Sequence, residues 1–232
     1  MIKIENVEVM GWEHAIRGMR NPKNSWERSD SREVDENCEA CMFIRDYNVC
    51  KHNPIHKCFN FDVGPNDHDL MMRLANGGPV HAKYRRMITV YLDITAPLYW
   101  WKEFDTYKVG TVANSCSTMH KIQSKRLTFD DFSTEHLTLA SLRLLESYLD
   151  HINKAIFCFR DFGEKEDWWQ IIQLLPSSYN QRRTIMLNYE VLTNIYESRK
   201  NHKLDEWREL CKWIESLPYS ELITGEVKES ED

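Results

Sequence analysis

Glycine is scarce, with 8 residues in 232. None falls into a Gly-x-Gly-x-x-Gly or Gly-x4-Gly-Lys-Ser/Thr pattern, which excludes the two commonest glycine loops that cradle phosphates with backbone N–H groups. Positive charge is in short supply too. Lys and Arg number 30 against 36 Asp and Glu, a net charge of −6. Such a chain lacks the basic surface that displaces counterions from DNA or RNA, so no polymeric nucleic acid is expected as partner. A pocket for one nucleotide needs only a few cations and stays open. Long apolar runs are missing as well: the most apolar window, Met87 to Trp101, is broken by Asp93 and Pro97. No membrane span is expected, because a helix needs about 20 apolar residues to cross. Met1-Ile2-Lys3-Ile4-Glu5 reads as a strand and not as the start of a signal peptide. Neither His-Glu-x-x-His nor Gly-x-Ser-x-Gly occurs, so the common zinc-protease and hydrolase signatures are out.

What remains is an ordinary globular composition, 42% hydrophobic and 28% charged, long enough for one large domain or two small ones. Seven cysteines is an odd number, and the expected setting is reducing and cytoplasmic. Four of them form Cys38-x2-Cys41-x8-Cys50-x7-Cys58, with His52 and His56 interleaved. A Cys-x-x-Cys knuckle with later thiolate or imidazole ligands suits structural zinc. Free thiols in a polar loop are the other reading.

Apolar alternation places a strand at residues 2–10 and a β-branched strand at 87–95 that Ala96-Pro97 stops. Helices are expected at 11–20, after Asn66 or Asp67 as cap, at 98–107, at about 134–159 behind a Ser133 cap, and at 164–174, 180–200 and 204–217. Residues 21–65 read as a long polar excursion and 110–120 as a loop. The whole is expected to be one α+β domain over 1–225, a small antiparallel or mixed sheet packed with long helices, with a charged tail at 226–232. The pairs Trp100-Trp101 and Trp168-Trp169 could stack on a flat ring, although helical spacing favours the core. Arg182 and Arg183 read as solvated helix residues.

One stretch is more informative. A strand ending in Ala96-Pro97 is followed by an aromatic helix and a polar loop, Asn114-Ser115-Cys116-Ser117-Thr118-Met119-His120. This resembles the flavin-dependent thymidylate synthase family, whose loop carries Asn-Glu-x-Ser-x-Arg-Tyr. The opening strand, His81, Leu175-Pro176, and the run Asn188, Leu192, Asn194 and Arg199 keep the family's phase, while residues 21–65 lie outside the likeness. The resemblance implies FAD as cofactor, a dUMP-like pyrimidine deoxynucleotide as ligand, methyl transfer at ring position C5 and a homotetramer. It implies nucleotide contacts for Glu103, Lys108, Asn114, Ser117 and Arg199. Ser117 would also be the catalytic residue beside the pyrimidine. Flavin contacts would fall to His81, Arg86, Tyr107 and Asn194.

The chain departs from the pattern at charged positions. Arg-His-Arg becomes Thr106-Tyr107-Lys108, the loop Arg becomes Met119, Glu-His becomes Arg86-Met87, and a later Arg falls near Ile172. Phosphate recognition rests on cations and amides. A protein that binds or sequesters a nucleotide without turnover is therefore the alternative.

Overall fold

The computed structural model describes residues 2–33 and 61–225. Cys38, Cys41, Cys50 and Cys58 lie outside the described residues, as does the tail at 226–232.

β1 (Lys3–Met10) turns into α1 (Trp12–Arg20) through Gly11. Gly11 has φ +93°, and a Cβ there would stand 2.1 Å from the carbonyl oxygen of Met87; this turn requires glycine. β2 (Arg32–Glu33) pairs antiparallel with β3 (Phe61–Asp62), Arg32 opposite Asp62 and Glu33 opposite Phe61. Then come α2 (Pro65–Asn76), a 3-10 turn (Ala82–Met87), β4 (Thr89–Pro97) and α3 (Leu98–Phe104). β5 (Val112–Ser115), α4 (Leu139–Phe162) and α5 (Lys165–Gln173) follow. β6 (Asn180–Asn188), α6 (Tyr189–Arg199), α7 (Asp205–Glu215) and α8 (Glu221–Thr224) complete the described chain. β1, β4, β6 and β5 form one sheet in the order β1-β4-β6-β5. The fold class is α+β, a small sheet with long helices.

Several elements differ from the sequence expectation. The helix expected over 180–200 is two elements: strand β6, then helix α6. Along β6, Gln181, Ile185 and Leu187 are buried while Arg182 and Thr184 are exposed, a largely period-2 pattern. Asn188 ends the strand and caps the helix, its side chain accepting from the N–H of Val191 at 3.1 Å. Ser133 does not cap α4; Thr138 does, accepting from the N–H of Ser141. The 110–120 loop contains β5. α3 stops at Phe104, so Tyr107 lies beyond it. The start of α2 is capped neither by Asn66 nor by Asp67. Asp30 accepts from both of their N–H groups, at 2.9 and 3.1 Å.

The chain divides into two compact units. One comprises Met1–Ile4, Asp93–Thr106 and Ala113–Thr184. Its apolar cluster joins Leu145, Leu149, Ile152 and Ile156 of α4 to Ile171 of α5, with Ile122, Leu127 and Phe132 from the preceding loop. Each such aliphatic side chain contributes about 1.5–3 kcal/mol on burial. The Asn153 amide holds the loop to α4 by accepting from the N–H of Leu127 at 2.8 Å and donating to its carbonyl at 2.9 Å. The first N–H groups of α3 are orphans of a helix start. Leu98 and Tyr99 donate them to the carbonyls of Tyr179 and Ser177, each at 3.0 Å.

The other unit comprises Glu5–Leu92, Tyr107–Val112 and Ile185–Asp232. Here α6 packs against α7, α8 and the 3-10 turn, and α1 packs on the same turn. Trp12 is buried with its ring edge-on to Tyr189 at 5.5 Å and Tyr219 at 5.2 Å, geometries that the ring quadrupole favours. At the last residue of α1, the buried Arg20 pairs with the buried Asp67 of α2 at 2.6 Å. Tyr84 is buried with its hydroxyl donated to the carbonyl of Met71 at 2.9 Å. That burial pushes its pKa up to about 12.

Candidate functional site

Arg199, the last residue of α6, stands where the chain brings a cation and two aromatic rings together. Its Nε donates to the Tyr107 hydroxyl at 3.0 Å. Its guanidinium carbon lies 4.7 Å from the Trp207 ring centre and 5.9 Å from that of Tyr107, within cation–π range. Trp207 is fully buried on α7. Its ring meets Tyr107 edge-on at 5.9 Å and His202 at 6.2 Å. The local sequence explains the arrangement. α6 buries Val191, Leu192, Ile195 and Tyr196 on one side, which leaves Asn194 exposed and Arg199 half-buried at the helix end. A cation there also complements the carbonyl end of the helix.

Other candidates of this unit are exposed: His81 before the 3-10 turn, Arg86 within it, Lys108 beside Tyr107, and Asn194 on α6. Of the candidates, the structure joins Arg199 and Tyr107 directly. Glu103, Asn114 and Ser117 belong to the other unit. Glu103 is half-buried on α3 and Asn114 is exposed on β5. The Ser117 oxygen accepts from the N–H groups of Met119 at 3.2 Å and His120 at 2.9 Å, which makes it the keystone of its own turn. The Trp168 indole holds the same turn by donating to the Met119 carbonyl at 3.0 Å.

Arg182 and Arg183 sit on strand β6 and not on a helix; Arg182 is solvent-exposed as expected, Arg183 is half-buried, and both are paired. Arg182 meets Asp93 at 2.6 Å, and Arg183 meets Asp105 at 2.7 Å. Arg183 also lies over the Trp101 ring at 4.2 Å and donates through Nε to the Gln181 side-chain oxygen at 3.0 Å. Gln181 in turn donates to the Cys116 carbonyl at 2.7 Å. This chain of contacts steadies the entry to the Ser117 loop. Trp100 and Trp101 are buried core residues; they present no face to a ligand ring.

Trp207 and Gln181 were not singled out from the sequence. Trp207 carried an apolar-face signal on α7, but nothing local links it to Arg199. Gln181 was hidden by the helical reading of its segment. Among the described residues, no group of three or more His, Cys, Asp or Glu is placed to hold a metal. A cavity of about 460 Å³ is lined by Ile16, Arg17, Trp26, Arg32 and Phe61, among others; among the described residues, none of the candidates borders it.

The chemistry of the donor set can be compared with FAD and a nucleotide. Phosphates call for cations and amides, which Arg199, Lys108, Arg86, His81 and Asn194 provide. The set fits in chemical type.

No family model matches the sequence, and no curated protein matches it. Solved structures do. Two crystal structures of the flavin-dependent thymidylate synthase ThyX from Helicobacter pylori, each with FAD and dUMP, are similar to this chain. One has a TM-score of 0.61 at 16% identity, covering 97% of this chain and 100% of the other. The second has a TM-score of 0.59 at 15% identity, covering 99% and 100%. With that likeness spanning nearly the whole length of both chains, this protein has the fold of the flavin-dependent thymidylate synthases.

Proposed function

We propose that this protein is a divergent homologue of flavin-dependent thymidylate synthase that binds a dUMP-like pyrimidine deoxynucleotide together with FAD. The observation that carries this reading is Arg199, a half-buried cation fixed by Tyr107 and Trp207 at the end of α6. On this fold, and at the position the sequence likeness assigns to phosphate binding, it is the anchor for the nucleotide phosphate. The sequence likeness assigns nucleotide contacts also to Lys108, Glu103, Asn114 and Ser117, and flavin contacts to His81, Arg86, Tyr107 and Asn194. A bound flavin supplies hydride to the substrate ring. This chain's residues would hold the phosphates and orient the pyrimidine, with methyl transfer at C5 the reaction if turnover survives. Assembly as a homotetramer in the cytoplasm belongs to the same proposal.

A second reading, non-catalytic binding or sequestering of a nucleotide, draws support from the replaced cations. Met119 and Ile172 are apolar, and Thr106 is neutral. The Ser117 oxygen already serves two backbone N–H groups.

The test is a titration of purified protein with FAD and dUMP. Flavin absorbance at about 450 nm that co-purifies or saturates on titration supports the flavin site. Ligand at 100 times its Kd stabilises by about 2.7 kcal/mol, which for a chain of this size raises Tm by roughly 5–10 °C. Stabilisation by dUMP without thymidylate formation selects the second reading. No response to dUMP or FAD refutes both.

A further inference from the structure

The cavity of about 460 Å³ lies within the unit that holds α1, β2 and β3, and sites for small ligands span about 300–1,000 Å³. Its apolar lining is fixed in place. Ile16 of α1 is buried. The Phe61 ring of β3 stacks on the buried Trp12 at 6.5 Å, with 19° between the planes. The indole N–H of Trp26 is donated to the Asn21 side-chain oxygen at 2.7 Å. One polar wall is already committed, because Arg20 and the hydroxyls of Ser29 and Ser31 donate to Asp67. The rest of the polar lining is charged and balanced, Arg17 and Arg32 against Glu13 and Glu33. The acids nearest the two arginines stand beyond hydrogen-bond distance: Glu13 is 3.9 Å from Arg17, and Asp62 is 3.8 Å from Arg32. Among the described residues, the Glu33 carboxylate meets no cation. Loose, exposed ion pairs contribute little, so drawing either guanidinium onto a bound carboxylate costs little.

We propose that this cavity is a binding site for a small aromatic zwitterion, an α-amino acid with an aromatic side chain. Its ring lies against Ile16, Trp26 and Phe61, its carboxylate meets Arg17 and Arg32, and its ammonium meets Glu33. Three properties of the lining select this class. Aromatic walls favour a flat ring through buried area and ring–ring contacts. A guanidinium matches a carboxylate with two parallel hydrogen bonds. A plain anion would face the two glutamates and a plain cation the two arginines, so only a ligand with both signs and no net charge finds a partner at each. The rings are held before the ligand arrives, which lowers the ordering cost of binding. The site is independent of the nucleotide reading: among the described residues, none of those assigned to that reading borders this cavity.

The experiment is an NMR titration of the full chain, read at the Trp26 indole N–H, which the Trp26→Phe variant identifies. The probes are L-phenylalanine, 3-phenylpropanoate, which lacks the ammonium, phenethylamine, which lacks the carboxylate, and L-alanine, which lacks the ring. L-Phenylalanine should bind, and each of the other three about tenfold more weakly, the scale of one lost hydrogen bond to a charged group. Glu33→Gln should weaken L-phenylalanine and phenethylamine but not 3-phenylpropanoate. The double variant Arg17→Gln, Arg32→Gln should weaken L-phenylalanine and 3-phenylpropanoate but not phenethylamine. The substituted residues are exposed, and thermal melts check that each variant is folded. Equal binding of 3-phenylpropanoate or phenethylamine and L-phenylalanine overturns the zwitterion assignment, and equal binding of L-alanine overturns the role of the rings. No movement of the indole signal with L-phenylalanine at about 10 mM, ten times a Kd of about 1 mM, overturns the site, as does binding that none of the variants changes.

Discussion

Replacing Asp67 by Asn should be among the most damaging single-atom changes available in this chain. The Asp67 carboxylate is fully buried. It accepts from Arg20 Nε at 2.6 Å, from the hydroxyls of Ser29 and Ser31, each at 2.7 Å, and from the N–H groups of Asp30 and Ser31 at 3.1 and 3.2 Å. Arg20, also buried, donates from Nη1 and Nη2 to the carbonyls of Ser25 and Arg28 at 3.1 and 3.0 Å. Every group facing the carboxylate is a donor. An Asn amide would turn an NH2 toward donors and leave the Arg20 charge uncompensated. Breaking a buried pair from one side costs about 3–5 kcal/mol. At roughly 2–4 °C per kcal/mol for a chain of this size, Tm should fall by about 6–20 °C at pH 7. The pH dependence gives a second handle. Burial by itself would raise the Asp67 pKa; the hydrogen bonds from Ser29, Ser31, Arg20 and the Asp30 backbone outweigh it and hold the group below the usual carboxylate range. On acidification the unfolded chain therefore takes up this proton first. The stabilisation is complete above the unfolded value of about 4 and is lost as pH falls through the lower folded value. Calorimetric melts between pH 3 and 8 should show a shallower acid slope for Asp67→Asn than for wild type. A fall in Tm of less than about 2 °C at pH 7, or an unchanged acid slope, would refute the reasoning.

Two further outcomes follow from local geometry. Gly11→Ala combines a positive φ with a Cβ 2.1 Å from the Met87 carbonyl oxygen. It should destabilise by more than the roughly 1–3 kcal/mol of backbone strain alone, read as a drop in urea midpoint. Gly163→Ala, where a Cβ would meet nothing within 4 Å, should show only the strain. Burial and the nearby Glu215 push the Cys211 thiol up to about 11, whereas Cys116 is exposed. Brief alkylation at pH 8 followed by peptide mass mapping should label Cys116 well before Cys211; equal labelling would contradict the burial of Cys211.

Much of the fold was legible from residue patterns. β4, with its alternating β-branched residues, and α1, with Trp12, Ala15, Ile16 and Met19 on one side, are read directly from periodicity. The segment 180–200 was not. Ile185, Leu192 and Ile195 fall at spacings that suit one helix as well as a strand followed by a helix, and the deciding signal was Asn188 acting as a cap in mid-segment. The polar excursion hid Asp30, because a helix cap supplied from 36 residues earlier has no local signature. Arg199 was legible as a candidate through its phase within the family pattern. Its partners were not, since Tyr107 is 92 residues away in the chain and Trp207 lies on the next helix.

The sequence by itself determined the α+β class and the absence of a glycine phosphate loop. Composition and spacing are local quantities, and a single chain carries them in full. Only the tertiary structure decided what the surviving polar residues do. It turned Arg183 from a surface residue into a clamp on Gln181, tied up the Ser117 oxygen in its own turn, and set Arg199 between a phenol and an indole. Those assignments depend on which distant groups fold into hydrogen-bond or ring-stacking distance. A cation becomes an oriented donor when packing fixes its plane, and packing is a property of the folded chain.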